Sequence, residues 1–253
     1  MTQSKIALVT GGSRGLGKDM ALQLAKKEYD IILTYQSKSD FAQEVVNEIK
    51  QIGKKAYAIQ LDVAIANSFD SFVETLSNVL ISEFGVDKIS ALVNNAGVGI
   101  YSPYTETSLE QFDSMVNIHL KAPYFLTQKL LPILENESSI VNISSGLTRF
   151  SYNGYAPYAI MKSAIDSLTR YQALELSARK IRVNSVAPGA IATDFGGGAV
   201  RDNQDVNTII ASNTALGRVG LPNDIGSVVA FLCSDEAKWI NAQRIEVSGG
   251  IHI

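Results

Sequence analysis

The chain has 253 residues, 46% hydrophobic and 19% charged, a balance that suits a globular protein able to bury a sizeable core. A formal net charge of −3 without a basic block argues against nucleic acid as a partner. No apolar run nears the ~20 residues that would span a membrane, and the single Cys233 forms no internal disulfide and seeds no metal cluster. Met1-Thr-Gln-Ser-Lys5 runs straight into a strand with no signal-peptide pattern, so a cytoplasmic protein is expected.

Lys5 to Val9 is a short apolar run closed by Thr10-Gly11-Gly12 and predicts a buried strand. Helical periodicity follows from Gly15 to Glu28. Ile31 to Tyr35 predicts a second strand, and Phe41 to Ile52 a helix closed by Gly53. Ala56 to Leu61 predicts a third strand, and Ser68 to Phe84 a helix closed by Gly85. Ala91 to Val93 is a fourth strand. Leu109 to Leu134 carries a long helical pattern with Pro123 inside it, which predicts a kink. A strand at 139–144, a helix from Tyr155 to Ala178 and a strand from Arg182 to Ala187 come next. A weaker helix near 205–212, a clear one from Asn223 to Cys233 and a strand from Arg244 to Val247 complete the order. Apolar strands alternating with helices predict an α/β fold, a doubly wound and mostly parallel seven-stranded sheet with helices on both faces. No linker, repeat or composition break divides the chain, so one domain over residues 1–253 is the economical reading.

Thr10-Gly11-Gly12-Ser13-Arg14-Gly15-Leu16-Gly17 joins the first strand to the first helix. Gly11, Gly15 and Gly17 let backbone approach a phosphate, and the helix start offers free N–H groups to a pyrophosphate. A Gly-rich turn without a ligand is the plain alternative. A free ribose 2′-hydroxyl calls for an acid about twenty residues past the glycines. Here Leu33 to Ser39 holds none before Asp40. Arg14, Ser37 and Lys38 instead suit a 2′-phosphate, so NADP is expected over NAD. Asp62-Val63 ends the third strand, where the carboxylate can accept from an adenine amino group or cap a turn. Asn94-Asn95-Ala96-Gly97 ends the fourth, where Asn94 reads as support for the cofactor pocket.

Tyr158 and Lys162 stand four apart on a predicted helix and so share a face. A tyrosine has a pKa near ~10, and an adjacent cation favours its phenolate. Such a pair can pass a proton to or from an oxygen near neutral pH. Ser145, thirteen residues earlier at the end of a strand, can hydrogen-bond the same oxygen. His119 lies in an apolar helical stretch and reads as a hydrogen-bonded structural residue rather than a metal ligand; His252 is far from it in sequence.

Together these motifs resemble the short-chain dehydrogenase/reductase family, and most of all its 3-oxoacyl-carrier-protein reductase and ketoreductase branch. The resemblance covers Lys5 to Gly250 and rests on the loop at 10–17, Asp62, the Asn-Asn-Ala-Gly run at 94–97, Ser145, Tyr158 with Lys162, and Pro188-Gly189. It implies a single-domain Rossmann fold and a homotetramer assembled through the helices at 109–134 and 155–178. It implies that Tyr158 protonates a carbonyl oxygen and Ser145 orients that carbonyl. Lys162 lowers the Tyr158 pKa and bonds the nicotinamide ribose, and Asn117 holds a water leading from Lys162 to solvent. Pro188, Gly189, Ile191 and Thr193 hold the nicotinamide carboxamide. The cofactor set is then Gly11, Ser13, Arg14, Gly15, Leu16, Gly17, Tyr35, Ser37, Lys38, Asp62, Val63, Asn94, Ala96, Gly97, Tyr158, Lys162, Pro188, Gly189, Ile191 and Thr193. The family often ends in Asp-Gly-Gly, where this chain has Ser248-Gly249-Gly250.

Tyr155 stands seven before Lys162, the wider spacing of enoyl reductases, and competes with Tyr158 for the same lysine. The Ser145 spacing favours Tyr158 and a ketone or β-keto ester substrate. A non-enzymatic dinucleotide sensor is the third reading. Substrate choice is expected in 98–104, 146–155 and 195–211; Tyr101, Tyr104, Phe150 and Tyr152 fit a partly aromatic pocket there, with plain packing the commoner role of such rings, and Gly196-Gly197-Gly198 suggests a mobile lid. Arg149 and Arg201 are the cations on offer to a carrier protein.

Overall fold

A computed structural model describes residues 4–253. Seven strands form one sheet: β1 Ile6–Val9, β2 Asp30–Tyr35, β3 Ala56–Gln60, β4 Ile89–Asn94, β5 Leu134–Ile143, β6 Arg182–Pro188 and β7 Arg244–Val247. Their order is β3-β2-β1-β4-β5-β6-β7, and every neighbouring pair is parallel. Parallel pairing needs crossovers that cover both faces, which is why β1, β2 and β4 are predominantly apolar and buried along nearly their whole length.

Side chains alternate between two cores. Ala7, Val9, Ile31 and Leu33 face helices α1 (Gly15–Lys26) and α2 (Ser39–Gln51) together with the late helix Pro222–Cys233. Ile6, Leu8, Ile32 and Leu92 face α3 (Phe69–Val79) and the helices after β4. The strand order reverses between β1 and β4, which opens a crevice at the carboxyl ends of the strands. Residues at those ends carry most of the expected site.

The long helical pattern at 109–134 is divided. It forms α4 (Leu109–Val116), a wide π-helical turn at Asn117–Lys121, and α5 (Ala122–Leu130). Pro123 has no N–H to give and its ring crowds the carbonyl four residues back, at His119; the widened turn absorbs both faults in place of a simple kink. α4 itself begins on a capping box, with Ser108 and Gln111 each accepting from the other's backbone N–H. The predicted helix at 68–84 likewise ends in a π turn, Leu80–Phe84, before Gly85. β5 starts at Leu134, well before 139, because Leu134 pairs with Ile89 ahead of an irregularity in the ladder.

The helix carrying Tyr158 and Lys162 is α6 (Ala156–Glu175). Beyond β6 come two short helices, α7 (Ala199–Asp202) and α8 (Gln204–Ser212), the second capped by Asn203, whose side chain accepts from Asp205 N and Val206 N. The Pro222–Cys233 helix is α9, and it packs on α1 where Gly226 leaves room for Asp19. Among the described residues no helix is long and apolar enough to cross a membrane.

Candidate active site

The Gly loop is held by side chains on the two central strands' ends. The Thr10 hydroxyl donates to Val93 O at 3.2 Å and accepts from Asn95 N and Ala96 N. Asn95 Nδ2 donates to Thr10 O at 2.8 Å and to Gly11 O at 3.2 Å. Gly11 N donates to the Thr34 hydroxyl. A Cβ on Gly17 would lie 2.2 Å from Gly11 O, and one on Gly12 2.7 Å from Leu33 Cβ. Arg14, extended, precedes α1, so the first N–H groups of that helix open onto the loop. This cradle fits a pyrophosphate. Thr10 and Asn95 lie in the two expected motifs but outside the expected cofactor contacts; they act by bonding the loop backbone.

A separate groove of about 780 Å³ lies beyond the carboxyl ends of β2 and β3 and against α3, lined by Gln36, Ser37, Gln60, Leu61, Asp62 and Phe72 among others. Asp62 accepts from Ala64 N at 2.9 Å and from Gln36 Nε2 at 3.0 Å, so it serves the turn and one wall of the groove. Val63 packs into the core below, Tyr35 is half-buried, and Lys38 stands exposed just ahead of α2. Arg14 reaches across the cradle to Asp194, 3.7 Å away. Asn94 is buried and donates to Thr127 Oγ1 and Asn142 Oδ1, tying β4 to α5 and β5. The 188–193 segment closes the other wall. Gly189 N donates to Val247 O, Ile191 bridges to Gly220, and Thr193 lies beside Gly15.

The four candidate catalytic residues sit at this edge, on three elements. Ser145 follows β5 and its hydroxyl accepts from Leu147 N at 3.2 Å. Tyr158 is 8% exposed and Lys162 5% exposed, one turn apart on α6. Lys162 Nζ donates to Ile143 O at 2.7 Å and lies 5.5 Å from the Tyr158 ring centroid. Asn117 opens the wide turn that packs against α6.

The electrostatics differ from the simple expectation that Lys162 lowers the Tyr158 pKa. Burial dominates and pushes the phenol up, with the Ser145 hydroxyl partly offsetting it. Burial also pulls the Lys162 amine down to about 8, against the opposing field of Asp166. The phenol therefore keeps its proton, and the amine beside it titrates at about 8.

His119 is 1% exposed. Its Nε2 meets Val98 O at 2.8 Å, and its ring stands edge-on to Tyr158 at 5.1 Å. Burial and the Lys162 charge pull it down to about 3, so it stays neutral and donates from Nε2. It joins the 98–104 loop to the Tyr158 ring, a hydrogen-bonded role as expected.

Aromatic rings from all three predicted substrate segments converge here. Phe195 packs on Tyr158 at 5.5 Å and covers Gly99. Tyr101 meets Tyr155 at 5.8 Å and lies over Gly154, whereas Phe150 and Tyr152, expected in the pocket, pack on each other and on His252 instead. Tyr104, 84% exposed, points away from this collar into solvent.

Arg244 on β7, which sequence reasoning passed over, donates to Ser145 O at 3.2 Å and to Thr148 Oγ1 at 3.0 Å. Its signal was the period-two pattern Arg244-Ile-Glu246-Val247, which sets two opposite charges on one strand face.

A doubly wound sheet with a phosphate cradle at its switch point and a buried Ser-Tyr-Lys group beside it defines a nucleotide-dependent oxidoreductase. The family model described as enoyl-(acyl carrier protein) reductase matches residues 11–252, and the chain belongs to the short-chain dehydrogenase/reductase family. The chain is similar to the 3-oxoacyl-[acyl-carrier-protein] reductase FabG of Staphylococcus aureus, 36% identical over the whole of both chains. It is similar to the hydroxynaphthalene reductase-like protein Arp2 of Metarhizium anisopliae, 35% identical over 97% of this chain and 94% of that one. Among solved structures it matches the angucycline C-6 ketoreductase LanV with bound NADP, at TM-score 0.93 and 34% identity over 98% and 95% of the two chains. The reductase LugOII, which catalyses keto-reduction at C1 in lugdunomycin biosynthesis, matches at the same TM-score and identity, covering 98% and 97%.

Proposed function

We propose that this chain reduces a ketone or β-keto ester with NADPH, with Tyr158 as the proton donor. The observation that carries the reading is the burial of Tyr158, Ser145 and Lys162 together at the sheet edge beside the glycine cradle. The cradle at 10–17, the groove at Ser37 and Asp62, and the 188–193 wall would hold the cofactor. Lys38 beside the groove, and Arg14 once released from Asp194, supply cations for a 2′-phosphate. LanV is a ketoreductase with NADP bound, and this supports the same cofactor here. When bound, the reduced nicotinamide supplies a hydride to the carbonyl carbon. Ser145 donates a hydrogen bond to the carbonyl oxygen, and Tyr158 gives that oxygen its proton, leaving an alcohol. Lys162 returns a proton to Tyr158, and Asn117 holds the water that connects Lys162 to solvent.

Oxidation of NADPH and, separately, NADH with an activated β-keto ester tests this. Turnover with NADPH over NADH is expected, and Tyr158→Phe should lower kcat by about 10²–10⁴-fold. Full activity in that variant would refute the assignment.

Tyr155 supports a second reading, reduction of an enoyl thioester. It flanks the collar beside Tyr101, and the matching family model carries an enoyl reductase description. Saturation of an enoyl thioester that is lost in Tyr155→Phe and kept in Tyr158→Phe would establish it. Cofactor binding without turnover of either substrate would mark a sensor. Arg149 and Arg201 are both committed to carboxylates, Glu246 and Asp194 with Asp202, which argues against a carrier-protein patch built on them.

We further propose one domain, a cytoplasmic setting and a homotetramer. Exposed Tyr124 and Phe125 on α5 and Ile160, Tyr171 and Leu174 on α6 supply the apolar faces for pairing with symmetry mates. A monomer mass in light scattering would overturn the assembly.

A further inference from the structure

An alternating line of charge runs behind the catalytic residues. Arg149, just past Ser145, makes a forked pair with Glu246 on β7, with contacts of 2.9 and 2.6 Å. The same guanidinium donates to the carbonyls of Ile251 and His252, tying the 146–150 turn to the chain's last residues. Glu246 also accepts from Arg244 Nη1 at 3.1 Å. Arg244 Nε then lies 3.2 Å from Asp166 Oδ2. Asp166 is the residue one helical turn after Lys162, and its other oxygen accepts from Ser185 on β6 at 3.0 Å. Arg149, Glu246, Arg244, Asp166 and Lys162 thus alternate in sign from the substrate loop to the catalytic helix. The Arg244 and Asp166 side chains are only 25% and 11% exposed, so water screens this pair far less than a surface ion pair.

We propose that Arg244 is a positioning residue for the reductase site, fixing the Ser145 backbone through Nη2 and balancing Asp166 behind Lys162 through Nε. The inference rests on the ketoreductase reading above. Two Arg244 contacts bear on where Ser145 stands: the bond to its carbonyl and the bond to Thr148, whose hydroxyl donates to that same carbonyl at 3.1 Å. A planar fork is needed to reach Ser145 O, Thr148, Asp166 and Glu246 at once, which an ammonium cannot do. The second arm acts through charge. The titratable and charged groups around the Lys162 amine are Tyr158 and Asp166 on its own helix, His119 on the wide turn, and Arg244 behind Asp166; β5 presents the Ile143 carbonyl. An Asp166 left without Arg244 would hold the Lys162 proton more tightly.

Three variants separate the two arms. Arg244→Met removes fork and charge; kcat is expected to fall about tenfold to a hundredfold. The basic limb of its kcat/KM profile should move up by about one pH unit. Arg244→Lys keeps a cation near Asp166 and should lose kcat while leaving the limb at its wild-type pH. Asp166→Asn added to Arg244→Met should bring the limb back to or below wild type. A kcat loss with an unmoved limb in Arg244→Met would reduce Arg244 to a structural brace, and unchanged kcat and limb would refute the role altogether. The Lys162 titration is also read without turnover, from the ¹³Cε shift of labelled lysine in the cofactor-free protein, assigned by its loss in Lys162→Met. Should the wild type reduce no ketone, the activity reading fails, yet the shift in Arg244→Met still decides the charge relation. Should Arg244→Met not fold by circular dichroism, Asp166→Asn alone decides it: a lower Lys162 midpoint supports the inference, and an unmoved one overturns it.

Discussion

A methyl group added to Gly17 would land 2.2 Å from the Gly11 carbonyl oxygen, whereas one added to Gly197 would meet nothing within 4 Å. Gly17 is glycine because the Gly11 backbone and the Asn95 side chain leave no volume. Gly197, at φ 75° between two further left-handed glycines, is glycine because its backbone turns where L side chains are strained. The first end of the site is set by packing and cannot give. The second is set by torsions rather than by packing, which suits the segment expected to close over the collar. The two ends meet at Arg14, whose guanidinium leaves the rigid cradle to reach Asp194 at the start of the torsional end.

Four measurements would break or sharpen that contrast. Gly17→Ala should be the most damaging, since overpacking against backbone costs about 1–3 kcal/mol and here falls on the phosphate cradle. Its NADPH Kd, read by fluorescence titration, should rise at least about tenfold. The next largest effect concerns Lys162, which lies on the packed side. With its amine near 8, the reduction rate should fall as pH rises through about 8, as the proton that resupplies Tyr158 is lost. The sign for stability is opposite. Between about 8 and the ordinary lysine value of 10.5 the unfolded chain holds a proton that the folded chain lacks, so this group adds stability as pH rises through that window. Chemical denaturation across it would show the slope.

Gly197→Ala should cost about 1–2 kcal/mol in backbone strain, change kcat and KM together, and leave the NADPH Kd alone. A loss of cofactor binding as large as that of Gly17→Ala would erase the distinction between the ends. Smallest is Asp194→Asn, which cuts an exposed, solvent-screened ion-pair group with Arg14 and Arg201. A slightly tighter NADPH Kd, from a freed Arg14, is expected by the same titration.

Much of this was legible in the chain because periodicity and glycine placement carry backbone information directly. Seven apolar runs gave seven parallel strands, and the 10–17 loop fell between β1 and α1 as its spacing requires. What escaped depends on residues far apart in sequence. Arg244 meets Ser145 across 99 positions, and no local pattern announces that pairing. The raised Tyr158 pKa escaped for a related reason. A four-residue spacing shows that Lys162 is near, but how much water both side chains lose is decided by β5 and the wide turn. The strand at Leu134 was hidden by the polar run Glu135-Asn-Glu-Ser138, which pattern reading assigns to a loop.

The strand order also bears on how the chain is made. β1 is flanked by β2, which follows it closely, and by β4, where the Ile6 N–H reaches Ser90 Oγ 84 residues later. At 5–20 residues per second a ribosome needs roughly 4–17 s to deliver that second neighbour. Through this interval Ile6–Val9, four apolar residues destined for the middle of the sheet, carry an open row of backbone donors and acceptors. A strand whose four residues are fully buried in the finished protein is thus an open apolar edge in the nascent one, and faster translation of residues 10–94 shortens the time it stays so.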